Sequence, residues 1–194
     1  MLQRKDWIKR LFFTRTVHLP DEGYFLVPHA EIIYQANLAK NNGKSCGYVA
    51  ATLLADYWTK ILGKPVYPSA LHKPLTPSAI HNLLLGETKN ASSWAYSIWK
   101  RWRQAGFMSK IAWRIGWFLT YHELHHGRPV ILFGGIPDPS AKDKYINHAI
   151  LAYGYKIENG QRVLLTHYGW ENYPAVLIRS PLQGSAVFFK PTLQ

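Results

Sequence analysis

Ser45-Cys46-Gly47-Tyr48-Val49-Ala50-Ala51-Thr52-Leu53-Leu54-Ala55-Asp56-Tyr57-Trp58-Thr59-Lys60-Ile61 carries a long helical pattern. Its apolar positions Val49, Ala50, Leu53, Leu54, Tyr57, Trp58 and Ile61 recur at three- and four-residue spacing along one helix face. Gly63 and Pro65 end the pattern. Cys46 stands at its start, directly after the loop Asn41-Asn42-Gly43-Lys44-Ser45. The amides and positive dipole end of a helix N-terminus favour a thiolate and can bring a cysteine well below its free pKa of about 8.5. Cys46 also begins the apolar stripe, so its side chain is expected to face whatever the helix packs against. A lone cysteine can equally be a small buried hydrophobe, since free Cys is among the most buried residue types.

Outward from this helix the periodicity changes along the chain. A second helix is signalled by Thr76 as N-cap with Pro77 behind it, running through Ile80, Leu83 and Leu84 to Gly86. Trp94 to Gln104 and Trp117 to His126 read as two more, the last ended by Gly127 and Pro129. Beyond Pro129 the runs 130–133, 148–155, 162–168, 175–178 and 186–189 are short, aromatic or β-branched, and separated by turn residues. Asn159-Gly160 is the clearest hairpin signal. The expected architecture is α+β within one domain, 1–194: a helix-rich lobe over about 1–110 packed on an antiparallel sheet over about 111–194, with a lobe boundary near 106–117. If the sheet is what the first helix packs on, the thiol lies in the cleft between the two.

The chain has 194 residues, 47% of them hydrophobic, enough for one substantial core or two small lobes. Its formal charge of +12 would favour acidic partners, but the basic residues form no long block. The nearest thing to a run, Lys100-Arg101-Trp102-Arg103, also reads as the solvated face of a helix, so no specific nucleic-acid partner is expected. One cysteine excludes an internal disulfide. Residues 1–15 place only Trp7-Ile8 and Leu11-Phe12-Phe13 between charges, too little for a signal-peptide core. No segment has the uninterrupted apolar length of a membrane span. As written, the chain is expected to be soluble, monomeric, cytoplasmic unless delivered by another route, and free of cofactors.

A thiolate nucleophile needs a base to hold its proton and return it to the leaving group, and histidine titrates in that range. Among nine histidines, His148 opens the strong strand His148-Ala149-Ile150-Leu151-Ala152-Tyr153-Gly154-Tyr155, where its neighbours are apolar. Read together, these residues resemble a known superfamily. Ser45-Cys46-Gly47-Tyr48 with Val49-Ala50-Ala51 is similar to the nucleophile helix of papain-like cysteine peptidases, especially the streptopain group and the double-glycine-leader (C39-like) peptidases. Gly127-Arg128-Pro129-Val130-Ile131-Leu132, followed by Asn147-His148-Ala149-Ile150-Leu151-Ala152-Tyr153-Gly154-Tyr155, matches the second half of that pattern. The resemblance spans Gln35 to Trp170. It implies a papain-like fold and hydrolysis of a peptide or protein substrate through Cys46 and His148.

The resemblance also implies two supporting roles. Gln35, in Tyr34-Gln35-Ala36-Asn37, resembles the glutamine that joins the Cys backbone amide in binding the oxyanion. Asn41 or Asn42 could hold that place instead. The residue that orients the base is Asn or Asp in the family, followed in streptopain-like enzymes by Trp-Gly-Trp; this chain has His167-Tyr168-Gly169-Trp170. His167 would then complete a triad as a neutral acceptor for the Nδ1 proton of His148, with Trp170 shielding the pair. Hairpin geometry tests this. A turn centred on Asn159-Gly160 sets His167 opposite Ala152, on the face of His148 but roughly 13 Å away. A bulge, a shifted turn, or another orienting group such as Asn172 or a backbone carbonyl would reconcile the two.

His122-Glu123-Leu124-His125-His126 satisfies a different pattern, in which two histidines one helical turn apart bind zinc and the glutamate is the general base of a peptidase. The helix ends directly after His126, and no downstream glutamate on a recognisable helix supplies a third ligand. Besides this zinc alternative, the cysteine reading has two neighbours: acyl transfer to an amine, as in transglutaminase-like enzymes, and a catalytically inactive binding module on the same fold.

Overall fold

The computed structural model describes residues 14–18, 22–38, 45–63, 65–66, 76–85, 94–104, 109–112, 117–141, 144–179 and 184–189. In chain order its elements are β1 (Thr14–Thr16), β2 (Tyr24–Leu26), α1 (Glu31–Tyr34), α2 (Cys46–Leu62), α3 (Pro77–Leu85), α4 (Ala95–Gln104), β3 (Ser109–Ala112), α5 (Trp117–His125), β4 (Val130–Pro137), β5 (Tyr145–Glu158), β6 (Gln161–His167), β7 (Val176–Ile178) and β8 (Gly184–Phe189). The class is mixed, with helices packed on one large antiparallel sheet.

The helix ends follow local chemistry. Gly63 closes α2 in the left-handed conformation at φ 64°, which glycine adopts without the strain a Cβ would bring. The Thr76 hydroxyl accepts a hydrogen bond from the Ala79 amide and caps α3. Gly127, at φ 71°, ends α5: its amide donates to the Leu124 carbonyl, and the Arg128 amide donates to that of Glu123.

Helix α2 is the axis of the core. Every residue from Gly47 to Thr59 is buried, so the helix is enclosed on all sides rather than along the single stripe its spacing suggests. It packs against α1, α3 and α4 and against strands β4 and β5. Two of its polar contacts lie within the helix, Thr52 donating to the Tyr48 carbonyl and Lys60 pairing with Asp56 at 2.8 Å, while the Tyr57 hydroxyl donates to the Pro28 carbonyl at 2.9 Å.

The sheet runs β1-β7-β6-β5-β4-β8-β3, with β2 pairing β5 beside this path. Three of these strands come from the first 112 residues, so the segment expected to form the helix-rich lobe also contributes to the sheet. The proposed boundary at 106–117 contains β3, which pairs β8 at the sheet edge. Such short strands carry too few residues for alternation to show in sequence. Among the described residues no helix is long and apolar enough to cross a membrane.

The long strand β5 positions the site. Along 145–152 it pairs β4, with His148 opposite Gly134. Along 154–156 its neighbour on β2 is close enough that a Cβ on Gly154 would meet the Phe25 carbonyl at 2.9 Å. On its other edge it turns into β6 through Asn159 and Gly160, both at positive φ, as a two-residue type I′ hairpin requires. From Glu158↔Gln161 to Gly154↔Leu165 the register is regular; Tyr153 is then extra, and pairing resumes at Ala152↔Thr166 and Leu151↔His167.

Candidate active site

That bulge decides where His167 lies. Without it His167 would stand opposite Ala152, on the face of His148. With it His167 stands opposite Leu151, and Leu151 and His148, three residues apart on a strand, point to opposite faces. The expectation that His167 receives the ring proton of His148 directly is therefore corrected: one inserted residue turns it to the other side of the sheet. There it is buried, 2% exposed. Burial lowers its pKa to about 4, because the charged imidazolium loses hydration with no carboxylate in compensation. Its Nδ1 accepts a hydrogen bond from the Gly169 amide at 2.9 Å.

His148 finds its partner in the main chain instead. Its Nε2 lies 2.7 Å from the Tyr168 carbonyl oxygen. A carbonyl only accepts, so Nε2 carries the proton and the neutral ring keeps its lone pair on Nδ1. This reverses the expected assignment, in which Nδ1 was to donate to the orienting group. The ring is 8% exposed and packs in a triangle with two aromatics, Trp170 with ring centroids 4.8 Å apart and Tyr168 at 5.8 Å, the two being 5.7 Å from each other. Together they exclude water from the ring and fix its plane. Asn172 is exposed and is not the Nε2 partner.

The turn that supplies the carbonyl is held from several directions. The Tyr168 hydroxyl donates to the Pro137 carbonyl at 2.6 Å, and its amide donates to the Tyr173 carbonyl at 3.0 Å. The Tyr173 amide in turn donates to the Trp170 carbonyl at 3.0 Å. Burial, with the nearby Asp138 and Tyr145 in support, drives the Tyr168 phenol far above its ordinary range, so it remains a donor at any working pH. Gly169 has φ 70°, and a Cβ there would lie 3.0 Å from Cγ1 of Val49.

Val49 is the link to the thiol. It lies one turn along α2 from Cys46, and residues three apart share a helix face. The turn 168–170 thus seats against the same side of α2 that begins with Cys46. Cys46 is the first residue of α2, with Ser45 at the N-cap position, and it is half-buried and packed against the core. Gly169 of the turn that binds His148 thus lies against Val49, one helical turn from Cys46.

Gln35 caps the C-terminal end of α1, its amide donating to the Glu31 carbonyl at 2.9 Å, and it is exposed. Asn41 and Asn42 lie outside the described residues. The Tyr168 carbonyl was reachable in sequence only as an unspecified backbone group, since main-chain acceptors leave no residue signature. Gly169 between two aromatics is the one local hint of a turn tight against another element.

The zinc motif fares differently. His122 and His126 lie with ring centroids 4.3 Å apart and planes tilted by 38°, with His126 Nδ1 2.7 Å from the His122 carbonyl. Glu123, 5% exposed, is bound by Arg128 through two hydrogen bonds, Nη2 to Oε1 at 2.9 Å and Nε to Oε2. Burial alone would raise the Glu123 pKa, but Arg128, with His122 adding, outweighs it and holds the carboxyl below its ordinary range. A carboxylate spent on an ion pair is not a general base. Among the described residues no group of three or more His, Cys, Asp or Glu is arranged to hold a metal ion.

Comparison with known proteins is informative only at the level of three-dimensional structure. No protein-family model matches the chain, and no curated protein matches it. Solved structures do match, among them a Bacillus anthracis protein designated a C39-like peptidase, with a TM-score of 0.53 over 88% of this chain and 98% of that one. Identity is 7%, so the likeness is one of fold. The chain shares its overall fold with that protein.

Proposed function

We propose that the protein is a cysteine peptidase, with Cys46 as nucleophile and His148 as the acid–base group. The observation that carries this is the hydrogen bond between His148 Nε2 and the Tyr168 carbonyl, because it leaves Nδ1 as the basic nitrogen in a shielded ring. In the proposed reaction the Cys46 thiolate attacks a substrate amide carbonyl. The helix end stabilises the thiolate before attack, and the Cys46 amide with the Gln35 side chain binds the oxyanion that follows. His148, protonated on both nitrogens once it has taken the thiol proton, delivers the Nδ1 proton to the leaving amine and then activates the water that hydrolyses the thioester. The loop after Pro137, tied to the site by the Tyr168 hydroxyl, forms one rim of the substrate cleft.

Iodoacetamide and E-64 labelling of the folded protein, with the adduct located by mass spectrometry, tests the proposal. Modification at Cys46 that is lost in His148→Ala is expected. An unreactive Cys46 in folded protein overturns it. Adding a free amine during turnover then separates hydrolysis from acyl transfer by the products formed.

A further inference from the structure

The two hydrogen bonds described above share one peptide group. The carbonyl that accepts from His148 belongs to Tyr168, and the amide that donates to His167 belongs to Gly169, so both ends of the Tyr168–Gly169 peptide are engaged by a histidine. In a trans peptide these ends point in opposite directions, which fits two histidines on opposite faces of the sheet. We propose that His167 is a positioning residue for His148, acting through the Tyr168–Gly169 peptide rather than by contact. The inference rests on reading His148 as the acid–base group.

The physical basis is twofold. By accepting the Gly169 N–H, His167 fixes the rotation of the peptide plane and therefore the direction of the Tyr168 carbonyl. It also polarises the peptide: a hydrogen bond at N–H increases the negative charge on the carbonyl oxygen, and such chains strengthen one another in a low-dielectric interior. The benefit to His148 is largest when its ring is positively charged, the state it reaches when it holds the thiol proton. His167 must be neutral to do this, with the proton on Nε2 and the lone pair on Nδ1. Burial keeps it so, and no proton passes through the peptide. The role departs from that of a carboxylate orienter, since the charge stabilisation arrives through a neutral dipole and is correspondingly smaller.

Asn and Leu at position 167 separate the roles. Asn can place its side-chain oxygen near the site of Nδ1 and accept the same N–H; Leu fills the space and cannot. With a peptide substrate, His167→Leu is expected to lower kcat about tenfold at little change in KM and to move the acid limb of kcat/KM down by about half a pH unit, as a less polarised carbonyl supports the imidazolium less. His167→Asn should recover all but about threefold of kcat. NMR of the wild type gives readouts that need neither turnover nor a folded variant: scalar coupling across the Gly169 N–H···Nδ1 His167 bond, and a step in the Gly169 amide resonance at the titration of His148. Absence of the coupling, or a folded His167→Leu with unaltered His148 titration, overturns the inference. If the wild type shows both NMR signals but cleaves no peptide, the peptidase reading fails and the structural coupling stands.

Discussion

Two histidine-bearing segments of this molecule invite opposite conclusions in sequence and in space. The stretch His122 to His126 matches a catalytic pattern letter for letter, yet its glutamate is bound on both oxygens by Arg128 and helps hold the end of α5 to the following strand. His167-Tyr168-Gly169-Trp170 departs from the papain-like pattern it resembles at the residue that should matter most, yet the turn it forms gives His148 a partner and a fixed tautomer. What separates them is how the polar atoms are used. A side chain whose hydrogen-bonding capacity is consumed by structure has none left for chemistry, whereas a backbone carbonyl held rigidly can do what a side chain was expected to do.

The contrast can be broken most directly at the proposed reacting groups. Cys46→Ala and His148→Ala should each lower peptide hydrolysis by about a thousandfold or more in kcat/KM, while His122→Ala in the rival motif leaves it within about twofold. Equal losses from both motifs would erase the distinction.

The next effect is on stability against pH. His167 has a lower pKa folded than unfolded, so between roughly 6.5 and 4 the unfolded chain binds the extra proton. Stability from this group is complete above that window and declines as pH falls through it, by roughly 3 kcal/mol in total. Urea unfolding at several pH values should show the decline in the wild type and a shallower one in His167→Asn.

Breaking the ion pair of the rival motif sharpens the comparison from the other side. Glu123→Gln should cost roughly 2 kcal/mol, less than a fully buried pair because Arg128 keeps some solvent contact, with kcat intact while the protein is folded. A loss of kcat without a loss of stability would return Glu123 to the chemistry.

Gly169→Ala should have the smallest cost in stability, about 1 kcal/mol for a residue forced to positive φ. Because its Cβ would press on Val49 in the first turn of α2, it should nevertheless lower kcat about tenfold, a ratio of activity to stability loss opposite to that of Glu123→Gln.

Much of the scaffold is legible in sequence because it is local. The extent of α2, its stop at Gly63, the Thr76 cap, the Asn159-Gly160 turn and the strands after Pro129 each depend on residues within a few positions of one another. The short strands β1, β2 and β3 are not legible in that way, since three or four residues pair only because a longer strand waits beside them. Cys46 and His148 stand out through residue type, position at an element's end and chain order.

What the sequence by itself determined was therefore a helix that opens on the only cysteine, a strand that carries a histidine among apolar neighbours, and the turn that sets the β5–β6 register at its near end. The tertiary structure alone decided the far end. One extra residue at Tyr153 reverses the face of everything beyond it. It sends His167 away from His148 and brings a main-chain carbonyl in its place, because side-chain direction on a strand alternates with every residue and a single insertion is enough to invert it.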